Sequence, residues 1–272
     1  MRHLMVKLKY DGRDFCGWQV QDGLRTVQAV FQDALWQVLK EKVPIRGCSR
    51  TDSGVHADEF CVSFSTSCAV PIERLPLALN AKLPPDIAVF DCVTVPEDFH
   101  ARYDCRGKQY RYLILNAPLR DPFRHTRAMW YKYPLDVALL HAQAQDYLGT
   151  HDFSAFCSAG SDVADKVRTV TQCGVRRLPD TPELIEFTVT ADGFLYNMVR
   201  IMVGTLLEIA AGRIAPDSIG EILASRDRQR AGATAAACGL YLHRVFYDEE
   251  ISAHSKQSFE KPTIREDTTH GR

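Results

Sequence analysis

The 272-residue chain has no run of about 18 apolar residues and, at its start, no basic segment leading into an apolar one. Neither a membrane span nor secretion is therefore expected, and the expected compartment is cytoplasmic. There is no Cys-x-x-Cys: the nine cysteines are odd in number and scattered, which argues against both a disulfide framework and a zinc site. Cys16, Cys61, Cys157 and Cys173 lie near aromatic or β-branched residues, where reduced thiols serve as small hydrophobes. Positive charge is not in surplus either. With 33 Lys and Arg against 34 Asp and Glu the net charge is −1, and the sum alone argues mildly against a polyanion partner. What remains is 46% hydrophobic and 25% charged, an ordinary globular composition with length for one large or two modest domains.

Charge is nonetheless unevenly placed. Arg102, Arg106, Lys108, Arg111, Arg120, Arg124 and Arg127 face only Asp104 and Asp121 in the same stretch, with Tyr103, Tyr110 and Tyr112 interleaved. Such a stripe can neutralise phosphates and stack bases, although charge runs are more often solvated faces.

The most informative stretch is Arg50-Thr51-Asp52-Ser53-Gly54-Val55-His56-Ala57, between the short β-prone segment 43–48 and the alternating Phe60-Cys61-Val62-Ser63-Phe64. Thr-Asp-Ser-Gly is ordinary turn chemistry, in which the aspartate caps nearby amides. The full string Arg-Thr-Asp-x-Gly-Val-His fixes six identities, and a chance match in a chain of this length is on the order of one in a hundred thousand.

The periodicity predicts a strand over 4–10, a helix over 27–39 capped by Thr26, a strand at 60–64, a helix over 71–82 ended by Pro84-Pro85, and a strand within 87–95. Between the first strand and helix lies a long loop, 11–25, of the kind that is usually functional or mobile. Its Arg25 either joins the helix amides in holding a phosphate or is simply solvated. In the second half, 108–116 reads as a strand with Tyr110, Tyr112 and Ile114 on one face. A helix over 135–148, strands over 167–175 and 184–190, a long helix over 194–211 and a last strand over 240–247 follow. On the long helix Tyr196, Asn197 and Arg200 share a face, and such a polar trio needs a partner. It is either a structural ion pair or an arm reaching Asp52 across a cleft. The expected organisation is an N-terminal α+β half over 1–106 carrying the Asp52 loop, a C-terminal α+β half over 107–248, and a polar, disordered tail over 249–272. The two halves repeat a similar element order.

The Asp52 string resembles the active-site motif of the TruA family, pseudouridine synthases of the tRNA anticodon arm. Further family-like strings are Tyr10-Asp11-Gly12 with Phe15-Cys16-Gly17-Trp18-Gln19, Arg25-Thr26-Val27-Gln28, Pro96 to Arg102, Lys108-Gln109-Tyr110-Arg111-Tyr112, His151-Asp152-Phe153, Phe194 to Gly204 and Gly239 to Leu242. The resemblance covers nearly all of residues 3 to 248. It implies the pseudouridine synthase fold, two pseudo-repeated α/β halves with mainly antiparallel sheets flanked by helices and a cleft between them. It also implies isomerisation of tRNA uridines around positions 38–40 by a homodimer, with no cofactor and no metal. Asp52 is then the catalytic residue, Tyr110 packs on the target uracil and Arg200 pairs with Asp52. Arg50 and His56 are candidates for the substrate backbone, and Arg25, Arg102, Arg106, Lys108 and Arg111 for wider RNA contact. An aspartate with an ordinary pKa near 3.9 is already ionised at neutral pH, so Arg200 serves to orient Asp52 and offset its burial. Three routes stay open for Asp52: attack on C1′, attack on C6, or removal of the 2′ proton to give a glycal. The sequence departs from the family at Ser49 and Ser53, where Gly and Ala are frequent and where such small-for-small changes should not disturb the pocket, and at Ala233, where proline is frequent and only the local loop shape is affected. Two other readings stand beside this one: a catalytically silent tRNA-binding protein, and a nucleoside hydrolase using Asp52 with Asp58.

Overall fold

The computed structural model describes residues 1–160 and 163–248; the expected polar tail lies outside them. The strands are β1 (Arg2–Tyr10), β2 (Arg46–Gly47), β3 (His56–Thr66), β4 (Ile87–Thr94), β5 (Gly107–Asn116), β6 (Met129–Tyr131), β7 (Gly149–Asp152), β8 (Val167–Leu178), β9 (Thr181–Ala191) and β10 (Leu240–Phe246). The helices are α1 (Val27–Leu39), α2 (Leu75–Asn80), α3 (Val137–Ala144), α4 (Met198–Ala210) and α5 (Ile219–Ser225).

One continuous sheet runs β4-β1-β3-β10-β5-β9-β8-β7, with β2 on β3 and β6 on β5. Its neighbours are antiparallel except at β10 with β3 and β6 with β5. The last strand among the described residues therefore returns to the middle of the sheet. Its junction with β3 is short, Tyr241 opposite His56 and Leu242 opposite Ala57. That seam lies just after the Asp52 loop, so residues far apart in the sequence meet there.

Alternation explains the layers. On β5, Tyr110, Tyr112 and Ile114 enter the main core, which also takes Val27, Phe31 and Leu35 of α1, Leu75 and Leu79 of α2 and most of α4. Leu113 and Leu115 point the other way and join Ala128, Leu184 and Tyr241 in a smaller cluster. α1 begins where Thr26 Oγ1 accepts the Ala29 amide and ends at Lys40 in the left-handed region, φ 59°. The helix expected over 71–82 is shorter, a 3-10 turn at Ile72–Arg74 and then α2, because Pro76 lacks an amide and fits only the first turn. The long helix expected over 194–211 starts only at Met198, which removes Tyr196 from it.

The loop 11–25 is anchored, contrary to a mobile reading. Phe15 and Trp18 are buried, and the indole stacks on Phe60 at 4.1 Å. Burying about 150–250 Å² of indole is worth roughly 4–6 kcal/mol gross, which holds the loop down. It then grips the Asp52 loop: the backbone N–H of Trp18 donates to the Thr51 carbonyl at 3.1 Å and that of Gly54 to the Phe15 carbonyl at 3.2 Å. Gly17 has φ +80°, and a Cβ there would lie 2.4 Å from the Thr51 oxygen. Gly17→Ala is accordingly expected to destabilise by about 2–5 kcal/mol, the left-handed penalty plus overpacking, read as a lower urea midpoint.

Candidate active site

Asp52 opens a tight turn closed by Val55 N–H on the Asp52 carbonyl at 3.2 Å, with Gly54 at the third position and φ +77°. A side chain is poorly tolerated at that φ, so glycine fixes the turn that sets Asp52 clear of β3. Below it, Thr51 Oγ1 bonds Tyr10 OH at 2.8 Å in the interior. The carboxylate faces a cleft of about 500 Å³ whose wall includes Ser49, Arg50, Arg102, Lys108, Tyr110, Phe194 and Asn197. Asp52 is the one carboxylate among the described lining residues.

Arg200, on the first turn of α4, reaches across: Nη1 donates to Asp52 Oδ2 at 3.3 Å. Two neutral acceptors aim it. Nε donates to the Ala235 carbonyl at 2.7 Å, and Nη1 also donates to Asn197 Oδ1 at 2.7 Å. The Ala235 segment is itself pinned to α4, since Ala235 N–H donates to the Arg200 carbonyl at 3.1 Å and Gly232 N–H to Thr205 Oγ1 at 2.9 Å. A Cβ on Gly204 would lie 1.6 Å from the Ala233 oxygen, so helix and segment pack backbone to backbone with alanine at 233. Burial pushes the Asp52 carboxyl above its ordinary range, and the Arg200 charge and hydrogen bond oppose the rise.

Tyr110 is buried beside Asp52, edge-on to Phe194 with centroids 4.8 Å apart. Burial drives its phenol above the ordinary range, so it stays protonated at neutral pH. Its hydroxyl lies 3.3 Å from Ser49 Oγ, and Ser53 Oγ donates to the Phe15 carbonyl at 3.3 Å. Both serines at the departing positions thus bond within the site's framework, as the glycine and alanine frequent there could not.

The other expected residues divide. Arg50, Arg102 and Lys108 line the cleft, and Arg50 and Lys108 have no ion-pair partner among the described residues. His56 is not on the cleft wall: it is 2% exposed, Nδ1 accepts the Gly12 amide at 3.0 Å, Nε2 donates to the Thr126 carbonyl at 3.0 Å, and the ring stacks on Tyr241. Burial lowers its pKa, consistent with that neutral tautomer. Arg111 also has partners within the chain. It lies on the opposite face of β5, forked to Asp58 at 2.7 and 2.9 Å and resting on Tyr241. Arg25 pairs with Asp86 over the Phe15 ring, and Arg106 is forked to Asp248 at 2.8 and 2.7 Å; neither enters the cleft. The basic stripe is therefore dispersed, since Arg124 pairs with Asp121 and Glu183 and Arg127 with Asp11.

Asp58, the second carboxylate of the hydrolase reading, bonds Arg111 and His243 and is absent from the cleft wall. A register shift between β1 and β3, Leu8 opposite Phe60 but Tyr10 opposite Ala57, puts an extra β3 residue beside Asp58 and turns it to the far face. Sequence reading missed Asn197 as a left-handed residue ahead of α4, φ 61°; its one signal was asparagine itself, which visits that region more readily than most. Among the described residues no cluster of His, Cys, Asp or Glu is arranged to hold a metal, and no helix is long and apolar enough to cross a membrane.

A family model described as tRNA pseudouridine synthase matches residues 8–104 and 143–248. The chain is similar to tRNA pseudouridine synthase A of Halalkalibacterium halodurans, 46% identical over 241 residues, covering 88% of this chain and 90% of that protein. It is also similar to the proteins of that name from Acetivibrio thermocellus, 44% identical over 91% of this chain and 100% of the relative, and Geobacillus kaustophilus, 43% identical over 91% and 95%. Matched along most of its length, the chain belongs to the tRNA pseudouridine synthase family.

Proposed function

We propose that this protein isomerises uridine to pseudouridine in the anticodon stem-loop of tRNA, around positions 38–40, with Asp52 as the catalytic residue and no cofactor. The observation that carries the reading is Asp52, which lines a cleft with Tyr110 and is held by Arg200 at 3.3 Å, in a chain of this family. The reaction breaks the bond from C1′ to N1, rotates the freed uracil and joins C5 to the same C1′; C5 loses a proton and N1 regains one. Each of the three routes for Asp52 starts from its ionised form, which Arg200 favours against burial.

A cleft of about 500 Å³ is of small-ligand size and takes one flipped nucleotide, not a stem. Tyr110 offers the uracil a rigid apolar edge, and the charges of Arg50, Arg102 and Lys108 on the same wall suit flanking phosphates. Family resemblance supports a homodimer acting in the cytoplasm.

Incubating the protein with an unmodified tRNA transcript and analysing digested nucleosides tests the reading. Pseudouridine is expected, with RNA mass unchanged; free uracil points to a hydrolase, and binding without product to the silent binder. Asp58→Asn discriminates further. It is expected to keep the wild-type isomerisation rate while costing about 1–3 kcal/mol in urea unfolding, because Arg111 and His243 lose their shared carboxylate.

A further inference from the structure

Asn197 precedes the first turn of α4 with φ 61° and ψ 8°, a left-handed backbone that costs most side chains energy. A residue at a helix start usually spends its side chain on the helix's free amides, and Asn197 makes no such bond. Its amide is used sideways instead. Oδ1 accepts from Arg200 Nη1 at 2.7 Å, the same nitrogen that donates to Asp52 at 3.3 Å, and Nδ2 donates to Ser158 Oγ at 2.9 Å. Ser158 is fixed in turn, its backbone N–H donating to the Tyr196 carbonyl at 3.1 Å. Asn197 also lines the cleft.

We propose that Asn197 is a positioning residue for the reaction: its amide, oriented by Ser158, aims Arg200 Nη1 at Asp52 and, being uncharged, leaves the guanidinium charge to Asp52 alone. The inference rests on the reading of Asp52 as the catalytic residue. A carboxylate at 197 would keep the shape and the acceptor but compete for Arg200. The groups facing Asp52 are then Arg200 from α4 and Tyr110 from β5, with Arg50, Arg102 and Lys108 along the same wall.

The test compares N197G, N197D and S158A with wild type, using tritium release from tRNA labelled at uracil C5 to obtain kcat, KM and the pH profile. N197G retains the left-handed backbone and deletes the amide. It is expected to lower the urea midpoint only modestly, because glycine's ease in the left-handed region offsets part of the two lost hydrogen bonds, with kcat down about 10- to 100-fold and KM nearly unchanged. N197D is expected to move the acid limb of kcat up by about one pH unit, with rate regained as pH rises. S158A, which removes only the anchor of the amide, is expected to fall between wild type and N197G. An N197G kcat within about twofold of wild type, or rate losses in all three variants that merely follow lost stability without a pH shift, would overturn the proposal. Carbon-13 titration of the Asp52 carboxyl in the free protein gives a reading without turnover. N197D leaving that titration unmoved contradicts the inference even where wild type is active, whereas inactive wild type contradicts the proposed function.

Discussion

Asp52→Asn is expected to lower the single-turnover rate of isomerisation by about 10,000-fold or more, the scale on which removal of a residue that performs the bond chemistry acts. The substitution is nearly isosteric, and Arg200 keeps its bonds to Ala235 and Asn197, so tRNA affinity is expected to change little. The same variant reports on stability. Because burial raises the Asp52 pKa in the folded chain, the folded protein holds that proton to higher pH than the unfolded chain does. Ionised Asp52 therefore costs stability, a cost absent below the unfolded pKa that develops as pH rises through the folded pKa. Asp52→Asn is expected to melt like wild type in acid and higher at neutral pH, measured by calorimetry across that range. Loss of activity with a gain in melting temperature is the signature of a site held against its own stability.

The second large effect concerns Arg200. Its charge and its hydrogen bond are what oppose the burial-driven rise at Asp52, so Arg200→Ala leaves desolvation unopposed. The expected result is a kcat about 100-fold lower at neutral pH, from the misplaced carboxylate, and an acid limb moved to higher pH. Arg200→Lys separates the two contributions. A lysine restores positive charge but cannot hold Ala235, Asn197 and Asp52 with one planar fork, so it is expected to return the acid limb toward wild type while recovering little of the rate. An Arg200→Ala enzyme with a wild-type profile would show that Asp52 needs no such brace.

How far this was legible in the sequence depended on whether the signal was local. The Asp52 turn follows from Gly54, and the buried face of Tyr110 from alternation along one strand. The reach of Arg200 to Asp52, 148 residues apart, came from family resemblance together with a polar group on an apolar helix that demanded a partner. What stayed hidden was set by pairing between distant segments. His56 and Arg111 read as free polar groups because Thr126 and Asp58, their partners, come from elsewhere in the chain. The return of β10 to the centre of the sheet leaves no local mark, since a strand between two halves reads like a strand at an edge. The length of loop 11–25 left it either functional or mobile; its anchor, Trp18 on Phe60, is a contact that loop statistics do not contain.

The most direct test of the central claim is to map pseudouridine by carbodiimide-dependent reverse-transcription stops on an unmodified tRNA transcript treated with wild type or with Asp52→Ala. New stops are expected in the anticodon arm with wild type and none with the variant. Stops that persist undiminished with Asp52→Ala would contradict it.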